Sequence, residues 1–197
     1  MGKKMARRSE HTQEDLRKMA IDAGSALIEQ RGYQEFSARA VAASMGYTVG
    51  TLYHLFGDLD NFMLHINART LDQWYSQFGS ILPVRPEARV RVYAQGYYIF
   101  AKENYNRWLA LFEHRMKPED IPEWFRPKMA QMFDIFEQAV QVHTDNDKKK
   151  AAKLSKILWA SVHGICVLSL AGKLDQVKSE RAEKMIDDLL VLTLKGG

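Results

Sequence analysis

The stretch Gly46-Tyr-Thr-Val-Gly-Thr-Leu-Tyr-His-Leu-Phe56 limits what this chain can fold into more than any other. It reads as a helix of barely two turns, opened by Thr48 and stopped by Gly57. An equally short helical segment, 37–45, precedes it, opened by Ser37 and stopped by Gly46. Ser and Thr open helices because their hydroxyls accept hydrogen bonds from the unpaired N–H groups of the first turn. Glycine stops them because it enters the left-handed region without steric cost. Helices this short need tertiary partners to persist. Ala38, Val41, Ala42 and Met45 supply a packing face on the first, and Leu52, Leu55 and Phe56 on the second. The reversal through Ser44-Met45-Gly46-Tyr47-Thr48 is the tight turn of a helix-turn-helix.

In such a unit the second helix enters a DNA major groove. Thr48, Val49, Thr51, Tyr53 and His54 are expected on its outer face, with hydroxyl, phenol and imidazole groups that donate to phosphate oxygens or base edges. Gly50 removes a side chain where backbone and DNA approach. Contacts of this kind mostly position a protein on the duplex, and few of them specify sequence. A plain helical hairpin fits the same local pattern.

Helical periodicity continues along the rest of the chain, and no segment alternates as a strand does. Thr12 and Asp15 resemble a capping box that opens a first helix ending at Arg31-Gly32. Asp58 opens a long fourth helix with an apolar stripe at Phe62, Met63, Ile66, Trp74 and Phe78. Helices are expected over about 87–104, 106–116, from after Pro122 to Val140 and beyond, from Asp147 to Ala171, and over about 179–194. The expected class is all-α with nine helices. The expected organisation is a basic arm (1–11), a helix-turn-helix head (12–60) and a second domain (61–197), with helix four leading from one to the other. Pro83 and Pro86 mark the clearest break in the pattern.

Composition is that of an ordinary globular protein, 46% hydrophobic and 26% charged. The net charge of +4 is concentrated in the arm, where Lys3, Lys4, Arg7 and Arg8 face one acid, Glu10. Such an arm can lie along phosphates or reach a minor groove, although a solubilising tail has the same composition. One cysteine, Cys166, excludes an intramolecular disulfide and fits a reducing cytoplasm. No signal peptide is expected, and the apolar run 157–171 reads as a buried helix too short to span a bilayer. No phosphate loop, nucleophile elbow or zinc-protease motif is present, so no catalytic residues are assigned. His163 and Cys166 share a helical face, but two ligands do not make a metal site. No metal and no cofactor are expected.

The stretch from Arg17 to Ile66 resembles the DNA-binding domain of the TetR (tetracycline-repressor-like) family. The resemblance rests on Ala20, Gly32-Tyr33, Val41-Ala42, Gly46-Tyr47-Thr48, Gly50-Thr51-Leu52-Tyr53 and Phe56. It implies a dimeric transcriptional regulator, in most cases a repressor released by a small molecule, with a helical C-terminal ligand-binding and dimerisation domain. By the same resemblance, Ser37, Arg39, Tyr47, Thr48, Val49, Gly50, Thr51, Tyr53 and His54 lie near DNA. Two departures weaken the grip. Val49 stands where the family often carries a cation, and Gly57-Asp58-Leu59-Asp60 stands where a lysine usually opens helix four.

Trp159-Ala-Ser-Val-His163-Gly164 resembles the Trp…His-Gly signature of one C-terminal subgroup. The family's second half implies a pocket for a small apolar or aromatic effector, with Tyr97, Trp108, Phe112, His114, Met132, Phe133, Trp159 and His163 as candidate walls. The same stripe also fits plain core. Ser161, Gly164, Leu168, Ile186, Leu189 and Leu190 on the last two helices are candidates for a two-fold interface. Homodimerisation would present two recognition helices to a pseudo-palindromic operator in double-stranded DNA. No membrane partner is expected. The alternative is a helical small-molecule-binding or adaptor protein with weakened DNA affinity.

Overall fold

The computed structural model describes residues 11–79 and 85–194. Lys3, Lys4, Arg7 and Arg8 lie outside them. Among the described residues there are ten α-helices: α1 (Gln13–Arg31), α2 (Ala38–Met45), α3 (Val49–Phe56), α4 (Leu59–Gly79), α5 (Pro86–Glu103), α6 (Tyr105–Glu113), α7 (Arg126–Gln141), α8 (Lys148–Leu170), α9 (Lys173–Gln176) and α10 (Ala182–Leu194). Short 3₁₀ turns cover Tyr33–Glu35 and Pro118–Asp120. The sequence pattern predicts nine helices, and the tenth is the single turn α9. Gly172, at φ 67°, ends α8, and four residues are too few to carry a periodic signal. The Thr12–Asp15 capping box forms as expected, and the Asp147 carboxylate accepts from Lys149 and Lys150 N–H to open α8.

Two apolar cores organise these helices. The head core gathers Ile28 from α1, Val41 from α2, Leu52 and Leu55 from α3, and Phe62, Met63 and Ile66 from the first half of α4. The body core gathers Trp74 and Phe78 from the second half of α4 with Tyr97, Trp108, Phe136, Leu158 and Ile186. Helix α4 therefore serves both cores. It runs about 30 Å at 1.5 Å per residue. A helical glycine meets it in each half. A Cβ on Gly24 of α1 would fall 2.5 Å from Ile66 Cδ1, and one on Gly96 of α5 only 2.1 Å from Phe78 Cε1.

Helix α6 binds the head as well as the body. Ala110 joins the head core. Asn106 Nδ2 donates to the Glu29 carbonyl at 2.8 Å, and His114 Nε2 lies 3.1 Å from Asp60 Oδ1. Arg69 of α4 pairs with Asp22 of α1. Each exposed pair contributes little to stability, but together they fix where the head sits on the body.

Helix α8, read from the sequence as a buried helix, is covered on one face only within the protomer. It is long and apolar enough to cross a membrane by length and composition, yet only 28% of its most apolar 18-residue stretch is buried. Its inner face packs on α5, α7 and α10 through Leu158, Val162 and Cys166, while Ile157 and Leu168 are 49% and 47% exposed. Residues 157, 161, 164 and 168 recur at helical spacing and form one outward stripe.

Candidate DNA interface and effector cluster

The head is built so that α3 faces outward. Ser37 Oγ accepts from Ala40 N–H at 3.2 Å, and Thr48 Oγ1 accepts from Thr51 N–H at 3.3 Å, so both motif helices open on the hydroxyl caps read from the sequence. Gly46 takes φ 73° and ψ 24°, and the Tyr47 N–H donates to the Ala42 carbonyl at 2.9 Å to close the turn. Leu52, Leu55 and Phe56 are buried. Thr48, Gly50, Tyr53 and His54 are exposed, Tyr53 at 46%, with Thr51 on the flank and Arg39 exposed on α2. At Gly50 an added Cβ would meet only Thr48 Oγ1, at 3.6 Å, so the outer face there is open.

Val49 is a correction. It packs against the head core instead of standing on the outer face, because residues 49, 52 and 56 share one side of the helix. Sequence reading also missed Gln13, whose Nε2 lies 3.3 Å from His54 Nε2 and seats the start of α1 beside the recognition helix. It missed Arg17 too, whose guanidinium sits 5.3 Å from the Phe56 ring centroid. Contacts between residues 41 positions apart leave no periodic trace.

In the body, four of the eight candidate pocket residues converge on a fifth, His163, and a sixth, Phe133, packs behind them. The rings of Phe112, Trp108, Trp159 and Tyr97 lie 4.3, 5.1, 5.4 and 6.2 Å from its centroid, and Phe133 packs edge-on against Trp159 at 5.1 Å. Tyr97 Oη and His163 Nδ1 are hydrogen-bonded at 2.9 Å. Burial pushes the Tyr97 phenol well up, with the indole N–H groups of Trp108 and Trp159 pulling weakly the other way. Burial also lowers the His163 imidazole, which favours its neutral form. One turn on, burial raises the Cys166 thiol to about 12, so it stays protonated and inert.

The remaining two pocket candidates fall elsewhere. His114 sits at the junction of head and body, between Asp60 and Tyr33, because α6 ends at Glu113 and turns it away from α8. Met132 faces α4, lining a seam with Leu71 and Trp74. The cluster around His163 is packed ring to ring. Clefts of about 640, 550 and 450 Å³ open at other places on the surface.

Of the interface candidates, Ser161, Gly164 and Leu168 lie on the outward stripe of α8 with Ile157, and a Cβ on Gly164 would meet nothing within 4 Å. Leu189 is partly buried at the flank of α10. Ile186 and Leu190 are corrections: they are 0% and 5% exposed and belong to the protomer's own core. Helix α10 is apolar on more than one side. Ile186 and Leu190 point inward to α5 and α8, leaving Val191 and Leu192, 49% and 78% exposed, on the outer side.

Comparison with known proteins agrees with this geometry. Residues 20–65 match the profile described as bacterial regulatory proteins, tetR family, and residues 90–191 match the tetracyclin repressor-like, C-terminal domain. The narrower Trp…His-Gly subgroup rests on the 159–164 hexapeptide alone. A search of curated proteins finds no match. Among solved structures, a protein of unknown function from Rhodococcus sp. RHA1 superposes with TM-score 0.77 at 15% identity, over 97% of this chain and 98% of that one. The TetR family transcriptional regulator PfmR from Thermus thermophilus gives 0.63 at 17%, over 90% and 97%. The multidrug binding protein EbrR, complexed with imidazole, gives 0.60 at 18%, over 89% and 93%. At these identities the likeness is one of fold. The two profiles together span both the head and the body, and the chain belongs to the TetR family of bacterial DNA-binding transcriptional regulators.

Proposed function

We propose that this regulator is a homodimeric repressor that binds a pseudo-palindromic operator and is released by a small apolar or aromatic effector. The observation that carries the reading is α4, one continuous helix that gives Phe62, Met63 and Ile66 to the head core and Leu71, Trp74 and Phe78 to the body core. A change in the body's packing is then transmitted to the recognition helix as a rigid movement. Thr48, Thr51, Tyr53 and His54 provide the contacts on DNA, with Ser37, Arg39, Tyr47 and the open backbone at Gly50 beside them. The arm of Lys3, Lys4, Arg7 and Arg8 precedes Gln13 in the sequence, and the Gln13 side chain meets His54 of the recognition helix. The arm compensates for the cations absent at Val49 and Leu59. The outward stripe of α8, with Val191 and Leu192, is the apolar face a second copy covers in an isologous contact. This sets the half-sites about 34 Å apart.

The effector site is the cluster around His163, whose aromatic walls part to admit an apolar ring while Tyr97 and His163 hold a polar substituent. EbrR, of the same fold, is solved with imidazole, itself a small aromatic ring. The test is a gel shift with DNA upstream of the protein's own gene. A retarded complex is expected, weakened by Thr51→Ala and Tyr53→Ala, with a flatter salt dependence after deletion of residues 1–8. Failure to bind at low salt and without effector supports the competing adaptor reading, which the thinned cations at Val49 and Leu59 favour.

A further inference from the structure

A cleft of about 640 Å³ opens where the head meets the body, apart from the cluster around His163. Its walls come from α1 (Arg17, Lys18), α4 (His65, Arg69), and the entry to α7 (Trp124, Lys128). The volume falls within the range of small-molecule sites, ~300–1,000 Å³. Trp124 is 40% exposed, yet it is held in place: its ring stacks on His65 at 4.4 Å and 17° and meets Phe125 edge-on at 5.5 Å. An exposed indole fixed at the mouth of a cleft is a preformed platform for another flat ring.

The charges on the wall are not balanced. Arg69 and Lys128 are engaged by Asp22 and Asp72. The other carboxylate lining the cleft is Glu14, against both Arg17 and Lys18. Among the described residues Arg17 pairs with no carboxylate, and its guanidinium rests over Phe56 at 5.3 Å. Between the platform and this cation lies His65, 4.4 Å from the Trp124 ring and 5.3 Å from the Phe56 ring. Burial and the charge on Arg17 both lower the His65 pKa, which leaves that spacer neutral. An exposed indole and a guanidinium that no carboxylate pairs with thus line one cleft, and a guanidinium is the planar donor best matched to a carboxylate or related oxyanion.

We propose that this cleft is a second small-molecule site, one that takes a planar aromatic anion, with its ring on Trp124 and its acid group on Arg17 and Lys18. Because α1 belongs to the head while Trp124 and Lys128 lead into the body, an occupant ties the two together and resists the swing by which induction proceeds. That consequence rests on the regulatory reading above. The binding itself does not.

The test is calorimetric titration of the full chain with 2-naphthoate, without DNA. One molecule is expected per chain, with affinity falling as salt rises. Trp124→Ala and Arg17→Gln should each weaken it about tenfold or more, and the uncharged 2-naphthamide should bind wild type about tenfold more weakly. His163→Ala should leave 2-naphthoate binding unchanged. No binding up to about 5 mM overturns the proposal. So does affinity that survives Trp124→Ala and disappears with His163→Ala, a result that would place the anion in the body cluster and leave the proposed induction standing. Since no DNA is present, loss of operator recognition can produce neither outcome.

Discussion

Replacing Gly96 with alanine sets two effects of known sign against each other. Gly96 lies inside α5, where glycine is the costlier residue, so alanine alone stabilises the helix by about 1 kcal/mol. The added methyl, however, falls 2.1 Å from Phe78 Cε1 and 2.5 Å from Cζ. Carbon–carbon contacts settle near 3.5–4.0 Å, so ring and helix must separate by roughly 1.5 Å. The Phe78 ring is 2% exposed and is held by Trp74 at 4.9 Å and Tyr93 at 6.0 Å, which leaves it little room to swing. Overpacking of this kind costs about 1–3 kcal/mol. The net expectation is a loss of about 0–2 kcal/mol, and for a chain of this size each kcal/mol lowers Tm by about 2–4 °C. The assay is urea and thermal unfolding at one fixed protein concentration, since dimer stability depends on it. Pairing Gly96→Ala with Phe78→Leu should restore the helical gain, giving a coupling of opposite sign to the clash. Gly24→Ala should lose less, because its nearest neighbour is the terminal methyl of Ile66. A Gly96→Ala protein that is more stable than wild type by about 1 kcal/mol would refute the claim that α5 and α4 are in backbone-to-ring contact.

Three further outcomes follow from the geometry. His163 is lowered by burial, and His65 by burial and Arg17, so both bind protons less readily folded than unfolded. Stability should therefore drop as pH falls below the ordinary imidazole value of 6.5 and level off once the native groups also protonate; His163→Gln should flatten that slope in pH-stepped melts. Cys166 is fully buried and its thiol is raised to about 12, so a thiol reagent should label it only on denaturation, and rapid labelling of the native protein would contradict the buried face of α8. Ile157→Glu together with Leu168→Glu should convert a dimer to a folded monomer in sedimentation, whereas Ile186→Glu should unfold the protomer. A double variant that remains dimeric would remove α8 from the interface.

The sequence by itself determined the local features of this protein. Ser37, Thr48 and Asp147 cap their helices through hydroxyl or carboxylate contacts two or three residues away, and Gly46 turns the motif through a positive φ. These are short-range chemical preferences, so they can be read without a fold. The spacing from Gly46 to Phe56 was enough to indicate the recognition element. Only the tertiary structure decided which apolar residues meet. Ile186 and Leu192 look equivalent on a helix that is apolar around much of its circumference, and packing against α5 and α8 alone separates core from surface. His114 and His163 both read as polar points in one aromatic region, yet the end of α6 sends His114 to the junction of head and body. Arg17, His65 and Trp124 lie far apart in sequence and come together because α1, α4 and the entry to α7 meet there. Periodicity identifies the apolar face of a helix, but which neighbour covers that face is fixed by packing across the whole chain.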